Sequence, residues 1–129
     1  MSGSTPDAVV AAFLRAFEAM DFDEALRHIG PNCEYTNVPM GTATGPDGVR
    51  SVLEPFFAPI DENDFVIRRA AVDGNVVFYE RLDRHRLGDV WRELPVTGVF
   101  EVENGLITVW REYFDLATAL KIHGEGDAA

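Results

Sequence analysis

Cysteine is almost absent from this sequence, since Cys33 is the only one among 129 residues. An intrachain disulfide is therefore excluded, and a single thiol suits the reducing cytoplasm. No apolar run reaches the length of a membrane-spanning helix. The first residues, MSGSTPDAVV, lack the basic segment and the apolar stretch of a secretory signal. We therefore expect a soluble, cytoplasmic protein.

Basic residues are also scarce, because 11 Lys and Arg stand against 22 Asp and Glu and give a formal net charge of −11. Such an excess of negative charge repels the phosphates of nucleic acids and of anionic lipid surfaces. We therefore expect neither nucleic acid nor membrane among the partners, and we attribute the acidity mainly to solubility.

Several short motifs of common catalytic sites are missing as well. The three histidines are scattered without an HExxH spacing, and there is neither a GxSxG elbow nor a P-loop. The glycine-rich stretch GTATGPDG has no phosphate-binding spacing and is interpreted as a loop. Cys33 is interpreted as a small core residue, and His28 and His123 as solvated side chains. No metal and no cofactor are expected.

Helical patterns begin the chain. Thr5-Pro6-Asp7 is a typical helix start, and apolar residues follow at helical spacing through Phe17. Asp21 and Glu24 resemble a capping box for a short second helix, FDEALRHI. Gly30-Pro31-Asn32 is predicted to end that helix.

Strand patterns dominate the remainder. CEYTNV, residues 33–38, favours a strand, and the loop MGTATGPDG separates it from a third helix that should close near Pro55 and Pro59. Four segments with strand periodicity follow, with turn sequences such as Asn104-Gly105 between them. They are FVIRRAAV, NVVFYERLDRHRL, VWRELPVTGVFEV and GLITVWREYFD. A short helix, DLATALKIH, comes last.

Helices first and meandering strands second are typical of an α+β domain. A single curved sheet wrapped around the helices would form a cone, and a ligand would bind in its interior. The length fits one domain with one core. We expect residues 1–129 to form it, with flexible ends at 1–4 and 124–129.

Alternation along the strands predicts which polar side chains point into the cone. Three strands carry polar and aromatic residues of one parity. They are Tyr35 and Asn37 on the first, Arg81, Asp83 and His85 on the second, and Trp110, Glu112 and Phe114 on the last. Ile107 and Val109 have the opposite parity and are predicted to face outward, towards a dimer interface.

If the aromatic residues line the interior, Arg81 can donate to both Asp83 and Glu112 and so neutralise two buried carboxylates. The alternative interpretation is a solvated surface ion pair, which is the commoner situation for charged strand residues.

The order of these residues is similar to that of a known family. YxN at Tyr35 and Asn37, ERLD at Arg81 and Asp83, and TGVFEVENGLITVWREYFDL over 97–116 resemble the limonene-1,2-epoxide hydrolase family. That family lies within the SnoaL-like, nuclear-transport-factor-2-like superfamily. The resemblance extends from about residue 5 to residue 120, and its WR-acid-YFDL stretch after a GVF strand is quite specific.

The resemblance implies a curved mixed sheet that encloses a deep pocket, three or four helices, and a homodimer. It also implies a one-step, metal-free opening of a small to medium apolar epoxide by water, which yields a vicinal diol. Carried onto this chain, Asp83 is the general acid, Glu112 the general base and Arg81 the bridge between them. Tyr35 and Asn37 position the water. Such chemistry needs one protonated and one ionised carboxyl group.

This sequence departs from the family pattern at two positions. Glu112 stands where members of the family carry Asp in WRDYFD, which moves the carboxylate by roughly one C–C bond length. His85 stands where an apolar pocket residue is expected. Arg84 and Arg86 beside it indicate a more polar substrate or an opening to solvent.

The rest of the pocket is expected to be apolar, although each candidate is also an ordinary core residue. The candidates for substrate binding are Leu14, Phe17, Phe56, Ile60, His85, Leu94, Val96, Trp110 and Phe114. Two other functions remain compatible with the sequence. An epoxide-opening cyclase or isomerase of the same superfamily would use a similar acid and base, and a non-catalytic binding protein would retain only the fold.

Overall fold

The computed structural model describes residues 5–124, which form four helices and six strands. In chain order these are α1 (Pro6–Glu18), α2 (Phe22–Leu26), β1 (Ile29–Asn37), β2 (Gly41–Thr44), α3 (Gly45–Phe57), β3 (Glu62–Asp73), β4 (Val76–Leu87), β5 (Val90–Glu103), β6 (Leu106–Tyr113) and α4 (Leu116–Leu120). The predicted α+β class is confirmed. The flexible ends predicted at 1–4 and 124–129 lie outside the described residues, apart from Gly124. In this part of the chain, no helix combines the length and the hydropathy that crossing a bilayer requires.

The six strands form one curved, unclosed sheet in the order β2-β1-β6-β5-β4-β3. Neighbouring strands are antiparallel, except that β1 and β6 run parallel, so the sheet is mixed as predicted. Helix α1 contacts the four strands β3 to β6, and α3 contacts β1 and β2. The two helices therefore cover the concave side of the sheet, where the pocket lies.

Both predicted N-terminal helix starts are confirmed. The Thr5 hydroxyl accepts a hydrogen bond from the Ala8 N–H at 3.2 Å, and the Asp21 carboxylate accepts one from the Glu24 N–H at 3.2 Å. These caps satisfy N–H groups that have no partner within the helix.

Aromatic rings join α1 to the sheet. Phe13 is fully buried and packs edge-on against Trp110, with ring centroids 4.9 Å apart. Phe100 stacks on the same indole at 5.9 Å. Edge-to-face and offset stacking are the arrangements that aromatic pairs prefer, so this cluster holds helix and sheet in a defined relation.

The prediction that Gly30-Pro31-Asn32 ends the second helix is wrong. Helix α2 already ends at Leu26, and the three residues lie within β1. The pairing of β1 with β6 shifts register between Ile29 and Glu34. Such an irregularity tolerates Pro31, which has no N–H to give to the ladder.

The prediction that GTATGPDG forms a loop is also wrong. Residues Gly41–Thr44 form the edge strand β2, which pairs antiparallel with β1 and brings the hydroxyls of Thr36 and Thr42 to 2.9 Å. Helix α3 begins directly at Gly45, whose φ is +69°. A Cβ there would lie 2.6 Å from the Pro31 carbonyl oxygen, so this junction requires glycine.

The outward orientation predicted for Ile107 is wrong as well. Val102 pairs with Ile107, but the preceding Glu101 pairs with Val109, so β6 contains one extra residue. This bulge reverses the parity of the strand, and Ile107 is fully buried in the core. Val109 is only partly buried.

Candidate active site

Three strands position the polar residues predicted for the site. Arg81 and Asp83 lie on the inner face of β4, while Glu112 lies on β6, two strands away. Gly98 on the intervening strand β5 pairs with Glu112. Because Gly98 has no side chain, the Arg81 guanidinium can extend across β5 to reach the Glu112 carboxylate.

Arg81 binds both carboxylates through two-point contacts. Its Nε and Nη2 donate to Asp83 Oδ1 and Oδ2 at 3.0 Å each. Its Nη1 and Nη2 donate to Glu112 Oε2 and Oε1 at 3.1 and 2.6 Å. The relative exposures of Arg81, Asp83 and Glu112 are 3, 7 and 7%. The surface ion pair considered above is therefore excluded, and the three side chains form a buried triad.

The protonation state of Arg81 follows from its two partners. Burial by itself would lower the pKa of the guanidinium, but the charges of Glu112 and Asp83 and their hydrogen bonds outweigh it, so the pKa is raised well above its ordinary value. Arg81 is thus a permanent cation, which can position protons without exchanging its own.

Tyr35 and Asn37 lie on β1, the strand that pairs with β6 next to Glu112. Asn37 pairs with Glu112 across the parallel β1–β6 ladder, and its Nδ2 donates to Tyr35 Oη at 2.8 Å. Tyr35 stacks on Trp110 with centroids 4.1 Å apart. Burial raises the pKa of the Tyr35 phenol, and the Glu112 charge raises it further, so Tyr35 keeps its proton.

A pocket of about 460 Å³ opens onto this triad, within the size range of small-molecule sites. Eight of the nine residues predicted for substrate binding line it, and they are Leu14, Phe17, Phe56, His85, Leu94, Val96, Trp110 and Phe114. Ile60 is buried in the core and is not part of the lining.

The pocket also contains residues that the sequence reasoning missed. They are Met40, Val52, Leu53, Pro55, Phe57, Phe65, Ala119, Leu120 and His123. The helical spacing of Leu53 and Phe57 was an available signal for the α3 members. No sequence signal places Met40 or Leu120 at the pocket, because both are exposed and reach it only through the fold.

His85 is buried at one side of the pocket. Its Nδ1 lies 2.7 Å from Asn63 Oδ1, and Asn63 Nδ2 donates to the Glu18 carbonyl oxygen at 3.3 Å. Burial lowers the pKa of His85 to about 4, and the nearby Asp83 charge opposes this only in part. His85 is therefore a neutral imidazole at physiological pH.

His123 and Cys33 are two further titratable groups, one at the pocket and one in the core. His123 is exposed as predicted, yet it also lines the pocket and its Nε2 donates to the Phe56 carbonyl oxygen at 2.7 Å. Burial and the charge of Glu34 raise the pKa of the Cys33 thiol to about 12, so it is not a nucleophile. Within residues 5–124, His, Cys, Asp and Glu side chains do not cluster in threes that could hold a metal ion.

Comparison with known proteins agrees with this geometry. The sequence model of the limonene-1,2-epoxide hydrolase catalytic domain matches residues 4–124. The chain is 34% identical over 112 residues to the epoxide hydrolase EphG of Mycobacterium tuberculosis, which covers 87% of this chain and 74% of EphG. It is also similar to the structure of an M. tuberculosis LEH-like epoxide hydrolase, at 34% identity and a TM-score of 0.75, over 88% of this chain and 84% of the other.

More distant structures share the fold alone. TerC, crystallised with polyporic acid, has a TM-score of 0.80 at 16% identity, over 93% of this chain and 98% of its own. An NTF2-like protein of unknown function from Burkholderia pseudomallei has a TM-score of 0.80 at 19% identity, over 94 and 98%. The family match over nearly the whole chain and the buried Arg81 triad lead to one conclusion: this chain belongs to the limonene-1,2-epoxide hydrolase family.

Proposed function

We propose that this protein is an epoxide hydrolase that adds water to a small to medium, largely apolar epoxide and releases a vicinal diol. The observation that carries the proposal is the two-point binding of Arg81 to two buried carboxyl groups beside an apolar pocket. Epoxide opening needs an acid and a base on opposite sides of the oxirane, and two carboxyl groups held apart by one guanidinium supply both. A cyclase, an isomerase or a binding protein is not favoured, because the relatives at 34% identity are epoxide hydrolases.

The scheme requires that one of the two carboxyl groups holds a proton. With one carboxyl protonated and Arg81 charged, the buried triad carries no net charge, which avoids the cost of an unpaired ion in the interior.

Asp83 is the acid and Glu112 the base in this proposal. Glu112 lies next to Tyr35 and Asn37, which are the polar groups able to hold a water. Glu112 takes a proton from that water. At the same time the oxygen of the water attacks a ring carbon from the side opposite the breaking C–O bond. Asp83 gives its proton to the departing oxygen, and a later proton transfer from Glu112 to Asp83 restores the resting state.

The hydrogen bonds of the proposed water can all be assigned. Asn37 Nδ2 donates to Tyr35 Oη at 2.8 Å, and Tyr35 Oη donates to Asn37 Oδ1 over the longer distance of 3.1 Å. In this proposal the water replaces the longer bond, which makes the Tyr35 hydrogen and the Asn37 carbonyl oxygen available to it. The water donates one hydrogen to Asn37 and one to Glu112, and it accepts from Tyr35. One lone pair is then left to attack carbon.

The test uses oxygen-18 water and a panel of cyclic, terpene, aryl and sterol-like epoxides. Hydrolysis places one labelled oxygen in each diol, which mass spectrometry detects. Asp83→Asn and Glu112→Gln should abolish the label, whereas the matched control Glu80→Gln should not, because Glu80 is exposed on the other face of β4. The proposal fails if no epoxide yields a labelled diol, or if both site variants keep full activity.

We also propose that the protein is a homodimer formed through the outer face of the sheet. Phe78, Val66 and Tyr113 are 40, 37 and 46% exposed on that face. Val99 pairs with Phe78 and extends the apolar surface across β5. Large exposed apolar patches mark association sites in soluble proteins, and the symmetric partner is a second copy of this chain. Light scattering should give twice the chain mass, and Phe78→Glu should halve it; a monomeric wild type would refute the dimer.

A cytoplasmic location is the last part of the proposal. It is supported by Cys33, a buried free thiol with no second cysteine to oxidise it within the chain. Fractionation of the native cells, followed by immunodetection, tests this location. Recovery of the protein outside the cytoplasm would contradict it.

A further inference from the structure

The hydrogen-bond chain at His85 determines which ring nitrogen carries the proton. The Glu18 carbonyl oxygen can only accept, so the Asn63 atom facing it is the amide nitrogen. The opposite atom of Asn63 is then the carbonyl oxygen, which also only accepts. His85 Nδ1, 2.7 Å away, must therefore be the donor.

The same reasoning leaves His85 Nε2 as an acceptor without a proton. The imidazole is neutral, because burial lowers its pKa to about 4. Aromatic rings of Phe56, Phe57 and Phe65 surround it, with centroids 5.3, 5.9 and 6.1 Å from its own. Among the described residues Nε2 has no hydrogen-bond partner, and His85 lines the pocket.

We propose that His85 Nε2 is a specificity-determining acceptor that selects epoxides carrying a hydroxyl group. The inference rests on the proposed function and defines its substrate class. His85 follows Asp83 by two residues on the same face of β4, so their Cα atoms are separated by roughly 7 Å along the strand. The hydroxyl group is therefore at the end of the substrate remote from the oxirane that Asp83 protonates.

Phe56, Phe57 and Phe65 make this acceptor selective. Their rings pack against the imidazole, so a substrate that fills the space beside Nε2 without donating leaves its lone pair unpaired. An unpaired buried acceptor costs more than a neutral hydrogen bond contributes, so discrimination against the analogue without the hydroxyl is expected.

The test compares three series of terminal epoxides of graded chain length: the alkyl epoxide, the same chain with a hydroxyl at its far end, and the methyl ether of that alcohol. The ether keeps the oxygen but cannot donate. We expect the kcat/KM of wild type for the best alcohol to exceed that for its ether by roughly five- to a hundredfold, the cost of leaving one buried acceptor unpaired.

Two substitutions separate recognition from structure. In His85→Asn the amide nitrogen takes the place of Nδ1 and can keep the bond to Asn63, but no acceptor remains near the Nε2 position. The ratio of alcohol to ether should then fall to about one. In His85→Gln the amide oxygen can take the place of Nε2, so the preference should be retained in part. A merely structural role predicts the same ratio in wild type and both variants, and melting temperatures verify that each is folded.

The outcomes distinguish this inference from the proposed function. If wild type hydrolyses the alcohol and the ether equally well, or if His85→Asn keeps the wild-type ratio, the inference is overturned and the hydrolase stands. If no epoxide is turned over, the proposed function fails. The dissociation constants of the alcohol and the ether, measured by calorimetry, then test the His85 inference. It stands if wild type binds the alcohol more tightly than the ether and His85→Asn does not, and it fails otherwise.

Discussion

Gly98 lies directly against the triad, and replacing it with alanine tests how tightly the site is packed. A Cβ at this position would lie 2.5 Å from Glu112 Oε2 and 2.8 Å from Arg81 Nη1, whereas ordinary contact begins near 3.4 Å. The Glu112 carboxylate must therefore retreat by roughly 0.9 Å and the guanidinium by roughly 0.6 Å. Both atoms belong to the bonds that hold the acid and the base in position.

The expected cost falls on catalysis more than on folding. A displacement near 1 Å in an active site lowers the rate by up to about a hundredfold, so we expect Gly98→Ala to lose roughly ten- to a hundredfold in kcat/KM. Alanine in a strand gains about 0.5–1 kcal/mol over glycine from backbone entropy, which partly offsets the crowding. Steady-state kinetics on an epoxide found in the labelled-water panel, together with urea unfolding, measure the two effects separately.

A second substitution tests the geometric reason. Glu112→Asp shortens the side chain by one methylene and withdraws the carboxylate from the space that an alanine Cβ would fill. Gly98→Ala should therefore cost less in the Glu112→Asp background than in wild type, and the two effects should not be additive. Thr97→Ala, on the outer face of the same strand, is the control. Unchanged kinetics in Gly98→Ala, or strict additivity in the double variant, would refute the reasoning.

Three further variants test other parts of the site. Arg81→Lys should lower kcat by roughly a hundredfold, because an ammonium group cannot bind both carboxylates in a fork. Steady-state kinetics measure the loss, and the melting temperature of the variant verifies that it is folded. Tyr35→Phe should lower kcat roughly tenfold by removing the water's donor, with the Trp110 stacking retained; a solvent-label assay quantifies it. The pKa of His85 is about 4 in the folded protein against 6.5 unfolded, so the unfolded state takes up the proton first as pH falls. Stability should decrease by about 3 kcal/mol between pH 6.5 and pH 4 in wild type, and His85→Leu should lack this component in urea titrations.

Much of the site was predictable because strand parity is a local property. Successive side chains of an extended backbone point to opposite faces, so Arg81, Asp83 and His85 had to share one face of β4 wherever that strand lay. Helix caps are equally local, which is why Thr5 and Asp21 were identified correctly. The family resemblance then supplied the partner strands, and with them the association of Glu112 with Arg81.

The remaining features depend on residues that are distant in sequence. GTAT became strand β2 only because β1 offered it a free edge, and Ile107 turned inward because β6 contains one more residue than β5 at their bulge. Gly98 matters because two long side chains meet above it, which composition cannot show.

The sequence by itself determined the α+β class, the polar inner faces and the family, because these follow from periodicity and from residue order. Tertiary structure alone decided that the triad is buried with matched partners and that Asn63 orients His85 across 22 positions of the chain. It also decided that Ile60 belongs to the core rather than to the pocket. Burial, hydrogen-bond partners and tautomers are properties of the packed chain, since each depends on groups that only the fold brings together.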